Sequence, residues 1–284
     1  VNLNPWALEP NTTYTITIGA DLEDRFGQTL GEPVTVPYTP GNLTADLWAP
    51  SGLNIFPAGQ NLQLNLSAVN LPDRAYQAAY QVVQPTDLVA TDNAYPRLDR
   101  PDLLPDRTTW QSFPVEAAPN EILDITIPLR DRLGSNTGML AYGVTARTTT
   151  YEDNGQQRWR EPDYYGLVQL TNLGVFAQWF PESGLVRVHH LADGSVVIGA
   201  RVSIYRSYVY GEETPPAGTP QPCATGQTDP SGLLILNAQA LQTCMGGASG
   251  FGDPPELLVV AREGEDWAFV RTDRYSGTYG YGIY

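Results

Sequence analysis

Apolar and polar residues alternate with a period of two along most of this chain, and turn residues interrupt the alternation at short intervals. The clearest case is 185–205. Two apolar-alternating runs flank Asp193-Gly194, and in the second Ala200, Val202 and Ile204 share one face while Arg201, Ser203 and Tyr205 share the other. This pattern predicts a half-buried strand pair about the Asp-Gly turn. Thr228-Asp-Pro-Ser-Gly232 predicts a tight turn feeding the apolar run 233–236, because Pro presets φ and Gly accepts positive φ. Residues 257–261 and 267–270 then read as a hairpin joined across 262–266.

Upstream, Tyr14, Ile16 and Ile18 share a strand face, 21–27 reads as a loop and 34–38 as a further strand. After a boundary at 39–41, strands are predicted at 44–48 and 62–68, and through Tyr76, Ala78, Tyr80 and Val82. From Gln84 to Thr109 the pattern stops: Pro85, Pro96, Pro101 and Pro105, with Asp87, Asp92, Asp99, Asp102 and Asp106, forbid a regular ladder. That stretch is expected to be a long flexible surface loop, the first place a partner domain or protease would touch. Alternation resumes at Leu123, Ile125, Ile127 and Leu129, then at Leu140, Tyr142, Val144 and Ala146. The turn 152–155 leads to 157–159 and finally to 165–170. A second boundary falls at Leu170/Thr171 without a flexible linker, so the flanking units are expected to hold a fixed pose. The fold class is therefore all-β: tandem antiparallel β-sandwiches at 42–170 and 171–284. Residues 1–41, too few for a core of their own, are expected to form part of an incomplete sandwich.

Composition sharpens this. Gly 27, Pro 24 and Tyr 16 suit many short strands and turns. The net charge of −15 argues against a nucleic-acid or anionic-membrane partner, both of which need a basic patch. Every basic residue is Arg, so no Schiff-base or P-loop lysine exists. No apolar run is long enough to span a membrane. A start at Val1, without Met or leader, suggests an internal piece of a longer exported protein. Cys223 and Cys244 read as a structural disulfide formed in an oxidising compartment, the alternative being two separate thiols. No further Cys or His stands near them to complete a metal site.

Candidate chemistry is thin. His189 and His190 are adjacent on a predicted strand, so they point to opposite faces, one packed and one solvated. Ser195 sits in a turn, without the Gly-x-Ser-x-Gly elbow of a hydrolase. The carboxylates fall in turns and loops, which disfavours an acid/base pair. Asp21, Glu23 and Asp24, and Asp99, Asp102 and Asp106, do not match a calcium loop and read as turn residues. The Asn-x-Ser/Thr triplets at 11–13, 42–44 and 65–67 read as chance matches to the glycosylation pattern. Trp159, Tyr164 and Tyr165, or the Tyr/Gly tail 275–284, could stack on a sugar, but packing is the preferred use. No catalytic, cofactor or metal residue is expected, and the chain is expected not to be an enzyme.

The order and spacing of Gln169-Leu-Thr-Asn-Leu-Gly-Val175, Leu191-x-x-Gly194, Gly199-Ala-Arg-Val202, Thr228-Asp-x-x-Gly232 and Ala261-Arg-x-Gly264 resemble a macroglobulin-like domain of bacterial alpha-2-macroglobulins. The resemblance is strongest over 165–270 and extends across 42–164, while 1–41 resembles the end of a bacterial immunoglobulin-like domain. It implies an extracytoplasmic protease trap, in the periplasm or at the cell surface, with or without a lipid anchor. A cut bait region triggers enclosure of the protease, and in many members a Cys-x-Glu-Gln thioester couples to it. Here Thr225 and Gly226 occupy the place of Glu-Gln after Cys223, Asn172 stands where Asp is commoner, and His189-His190 replace a small-polar pair. The implied role is non-catalytic scaffold without bait or thioester. Its partners would be neighbouring domains of a larger chain and, through the whole protein, target proteases. A cell-surface adhesin or carbohydrate-binding module is the alternative, and an accessory region of a secreted glycoside hydrolase a third.

Overall fold

The computed structural model describes residues 8–59, 63–90, 103–180, 183–208, 217–245 and 256–272. A hairpin opens it, β1 (Tyr14–Ile18) with β2 (Val34–Tyr38). Next come β3 (Asp46–Trp48), β4 (Gly52–Phe56), β5 (Gln63–Val69), β6 (Ala75–Val83), β7 (Gln111–Pro114) and β8 (Leu123–Pro128). The short helix α1 (Leu129–Leu133) precedes β9 (Gly138–Thr145), β10 (Thr150–Asp153), β11 (Gln156–Trp159) and β12 (Asp163–Leu170). The remainder holds β13 (Leu173–Phe180), β14 (Ser183–His190), β15 (Arg201–Arg206), β16 (Ala224–Gln227), β17 (Leu233–Asn237), α2 (Ala238–Met245), β18 (Leu257–Glu263) and β19 (Asp266–Thr272). Strands hold 51% of the described residues and helices 9%.

Four sheets stack face to face. The sheet β3-β5-β8 covers one face of β4-β12-β9-β6-β7, and β13-β14-β17 covers one face of β16-β15-β18-β19. Leu47, Leu66, Ile127, Leu140, Tyr142 and Val168 fill the first core, and Trp179, Val186, Val202, Ile204, Leu257 and Val259 the second. A third core joins the two inner sheets: Val83, Leu88, Met139, Ala141 and Leu167 meet Leu258, Val260, Trp267 and Phe269. Alternation along β18 therefore sends Leu257, Val259 and Ala261 to one core and Leu258 and Val260 to another. All eight residues of β9 are buried for the same reason. Gln169, wholly buried, donates from Nε2 to the Trp267 carbonyl across this seam at 2.8 Å, and Tyr208 N–H reaches the Val89 carbonyl at 2.8 Å.

Several expectations are corrected. The runs either side of Asp193-Gly194 pair only next to the turn, through an isolated bridge between His189 and Val196 and hydrogen bonds over 188–197; β14 and β15 themselves lie in different sheets. The segment crosses from one layer to the other because Ala200, Val202 and Ile204 face the same core as Val186 and Val188 from the opposite side. The 84–109 stretch is not free at its ends. Residues Pro85–Val89 form a 3₁₀ turn that buries Leu88 and Val89 in the seam, and Trp110, just beyond the turn Arg107–Thr109, is buried against Tyr165. Asp92, Pro96, Asp99, Pro101 and Asp102 lie outside the described residues. Leu129 starts α1 rather than ending a strand. One pairing, β4 with β12, is parallel within otherwise antiparallel sheets.

The Thr228–Gly232 motif has a clear physical role. The Thr228 hydroxyl donates to the Val197 carbonyl at 2.6 Å and accepts from Ala200 N–H at 2.9 Å, which clamps the crossover loop before β15. The Asp229 carboxylate accepts from Ser231 and Leu233 N–H, and Gly232 takes a φ of +72° at the close approach to Val188 and Val196.

Tyr142 lies over Gly166, its direct neighbour across β9 and β12, where a Cβ would overlap the phenol ring. Its hydroxyl donates to the Pro50 carbonyl at 2.8 Å. Burial pushes the Tyr142 phenol well above its ordinary value. The folded chain thus keeps a proton that the unfolded chain gives up near pH ~10, so this contribution is intact below that pH and is lost as pH climbs further. Tyr142→Phe should cost about 1 kcal/mol at neutral pH, from the lost hydrogen bond. It should also flatten the fall in stability above about pH 10; urea unfolding on both sides of that pH checks both signs.

Candidate functional site

His190, at the end of β14, is the centre of the most enzyme-like cluster among the described residues. Its Nδ1 lies 3.0 Å from Ser195 Oγ and its Nε2 3.1 Å from Glu263 Oε2. Glu263 is the last residue of β18, far away in sequence, and could not have been read as a partner. The cluster lacks what acyl transfer needs. Ser195 N–H, the first donor an oxyanion hole would use, is already given to Asp193 Oδ1 at 2.9 Å. The Ser195 hydroxyl and that N–H, followed by nearby His190, hold the exposed Asp193 carboxyl below the usual carboxylate range. The arrangement ties the end of β14 to the end of β18 in the facing sheet. His189, on the other face of β14, packs its ring over Gly174, its cross-strand neighbour.

The acidic clusters serve turns. Asp24 accepts from Phe26 and Gln28 N–H, and Asp106 caps the turn at 107–109 through Thr108. Among the described residues no group of three His, Cys, Asp or Glu could hold a metal ion. Asn42 and Asn120 join Asn70 in a side-chain network that fixes Leu43 to the first sandwich.

Cys223 and Cys244 are bonded, with Cα atoms 5.0 Å apart. Cys244 is on α2 and wholly buried. The bond staples α2 beside the start of β16.

Of the aromatic candidates, Tyr165 is buried against Trp110 and Tyr164 packs on the first core, whereas Trp159 is 42% exposed. The tail 275–284 lies outside the described residues. Trp159 opens on a cleft of about 1140 Å³ between the segments that flank the β1–β2 hairpin, at Leu8, Pro10 and Pro40, and the first sandwich. Trp48 and Tyr151 line it as well, with Arg107, Arg160 and Glu161. Arg107 is held by Asp163 at 2.9 Å and Glu161 at 3.2 Å, and Glu161 is also bridged by Arg147. Trp48 and Tyr151 carried no sequence signal, because the cleft forms only when β3 and the β10–β11 hairpin come together. Among the described residues no helix is long and apolar enough to cross a membrane.

No protein-family model matches the chain. It is 56% identical over 283 residues to an alpha-2-macroglobulin homolog of Nostoc sp., covering 100% of this chain and 14% of that protein's length. A crystal structure of native Escherichia coli alpha-2-macroglobulin spanning domains MG0-NIE-MG1 shares its fold, with a TM-score of 0.50 and 16% identity over 94% of this chain and 76% of that one. Salmonella alpha-2-macroglobulin reacted with methylamine aligns with a TM-score of 0.47 and 16% identity over 92% of this chain and 14% of that one.

Proposed function

Because the chain belongs to the alpha-2-macroglobulin family and spans about a seventh of its relative's length, we propose that it is a non-catalytic scaffold segment of a larger extracytoplasmic protease trap. The bait and any thioester would lie elsewhere in that protein. In this reading 42–170 and 171–284 are macroglobulin-like sandwiches, and 1–41 closes an immunoglobulin-like domain. The observation that carries it is the asymmetry of the outer faces. On β5 and β8 the outer face is polar, with Gln63, Asn65, Asp124 and Thr126 exposed. The outer face of β13-β14-β17 instead shows Phe176, Phe180 and Ile235 at 49, 43 and 68% exposure. Likewise one face of β1–β2 carries only Tyr14, Ile16, Ile18, Val34, Val36 and Tyr38. Apolar sheet faces of this kind suit contact with neighbouring domains, and the oxidised cysteine pair suits the periplasm or cell surface.

Mixed with several proteases, the purified chain should leave cleavage of a large protein substrate unslowed. It should also turn over neither glycosides nor esters. Stoichiometric protection of the substrate, or turnover abolished by His190→Ala or Glu263→Gln, would replace the scaffold reading with an autonomous inhibitor or enzyme.

A further inference from the structure

We propose that the cleft holding Trp48, Tyr151 and Trp159 binds a neutral oligosaccharide, a function separate from and additional to the scaffold role. Two indoles, Trp48 and Trp159, stand 53 and 42% exposed in the lining of this cleft, although rings of this size are normally packed in cores or interfaces. Tyr151, paired with Arg158 on the opposite face of the β10–β11 hairpin and covered by Arg160, adds only its rim. The buried indoles behave differently. Trp110 and Trp179 give their N–H to the Pro105 carbonyl and Thr272 Oγ1, whereas Trp48 and Trp159 have no acceptor among the described residues. Each exposed indole therefore offers a flat apolar face and a free donor side by side, which is what a pyranose ring with its C–H face and hydroxyl rim requires.

The charges in the cleft narrow the ligand class. Arg107 and Glu161 pair with each other and with Asp163 and Arg147, and Arg160 lies over the Tyr151 ring at 5.2 Å. With Arg107 and Arg160 set against Asp46 and Glu161, the lining has no surplus of either sign. An ionic ligand would have to break the Arg107–Glu161 pairing or draw Arg160 off the Tyr151 ring, and the net charge of −15 opposes a polyanion. A purely apolar ligand would desolvate the fixed charges without replacing their hydration. A neutral, hydroxyl-rich molecule with apolar faces meets both halves of the lining, and the cleft volume of about 1140 Å³ admits several sugar rings.

The test titrates the 284-residue chain with chitohexaose, cellohexaose and maltohexaose, following tryptophan fluorescence and heat, with a proline-rich peptide in parallel. At least one hexasaccharide should saturate the protein. Trp48→Ala and Trp159→Ala should each weaken it about tenfold, the effect of losing one stacking ring. Trp159→Tyr, which keeps a flat ring, should retain most of the binding, and Phe176→Ala, on the far outer sheet, should leave it unchanged. Unaltered melting of the variants separates a lost contact from a lost fold. The proposal fails if no hexasaccharide saturates below about 5 mM, if binding ignores both Trp substitutions, or if the peptide alone occupies these rings. None of these results bears on protease trapping, so the scaffold reading stands or falls separately.

Discussion

Leu258→Ala should lower stability by about 3 kcal/mol, within the range for truncating a wholly buried leucine, and should weaken both sandwiches together. Leu258 has no exposed surface and lies on the β18 face that meets Val83, Leu88, Met139 and Leu167. A cavity there removes packing from two sheets that also share the Gln169–Trp267 hydrogen bond. Hydrogen exchange should quicken in β9 and β12, across the seam, as well as in β18 and β19. Ile235→Ala, at a residue 68% exposed, should stay within about 0.5 kcal/mol of the parent. Exchange quickening confined to β15, β18 and β19 would mean that the sandwiches unfold independently.

Replacing Cys223 and Cys244 together by Ser should cost about 3 kcal/mol, the chain-entropy value for a loop of this size. The bond spans 21 residues and holds α2, whose eight residues are too few to form a stable isolated helix. Among the described residues of α2, Leu241 and Cys244 are buried and contribute packing besides. The urea midpoint should fall, and the amides of α2 should lose protection before those of β18. A thiol assay on the denatured, unreduced parent should find no free sulfhydryl; two titratable thiols would remove both the staple and the argument for an oxidising compartment.

Much of the fold was legible because wet-and-dry alternation is a direct imprint of one-sided burial. The strands at 63–69 and 123–128 have one face to water and read cleanly, and 14–18 reads as clearly from its alternation although its apolar face is not buried. The inner sheets were harder. In β18, Leu-Leu-Val-Val-Ala carries no alternation, and the run marks burial on both faces and hence the seam. The supposed 185–205 hairpin misled because an Asp-Gly turn between apolar runs looks the same whether the chain returns to its own sheet or crosses to the facing one. Thr228 clamping Val197 and Ala200, thirty residues upstream, is what decides the crossing, and no local window contains it. The cleft is half visible in the sequence: Trp159 stands out together with Tyr164 and Tyr165, whose preferred use, packing, is what the structure shows, whereas Trp48 carries no signal.

Burial on both faces also changes how these sheets store their own alignment. A strand with one wet face resists slipping by a residue, because the slip would drive its apolar side chains into water. For β9 and β18 a slip would still bury apolar groups on either side, so polarity carries no record of the correct pairing. Shape carries it instead. Tyr142 faces Gly166 across β9 and β12, and in the outer sheet Trp179 faces Gly184 and His189 faces Gly174, each ring filling the space where a Cβ would stand. Moved by one position, Tyr142 would meet Leu167 or Tyr165, and the space would be gone. The pairing is thus written as a steric code of bulk against absence, in which the glycines carry information by what they lack.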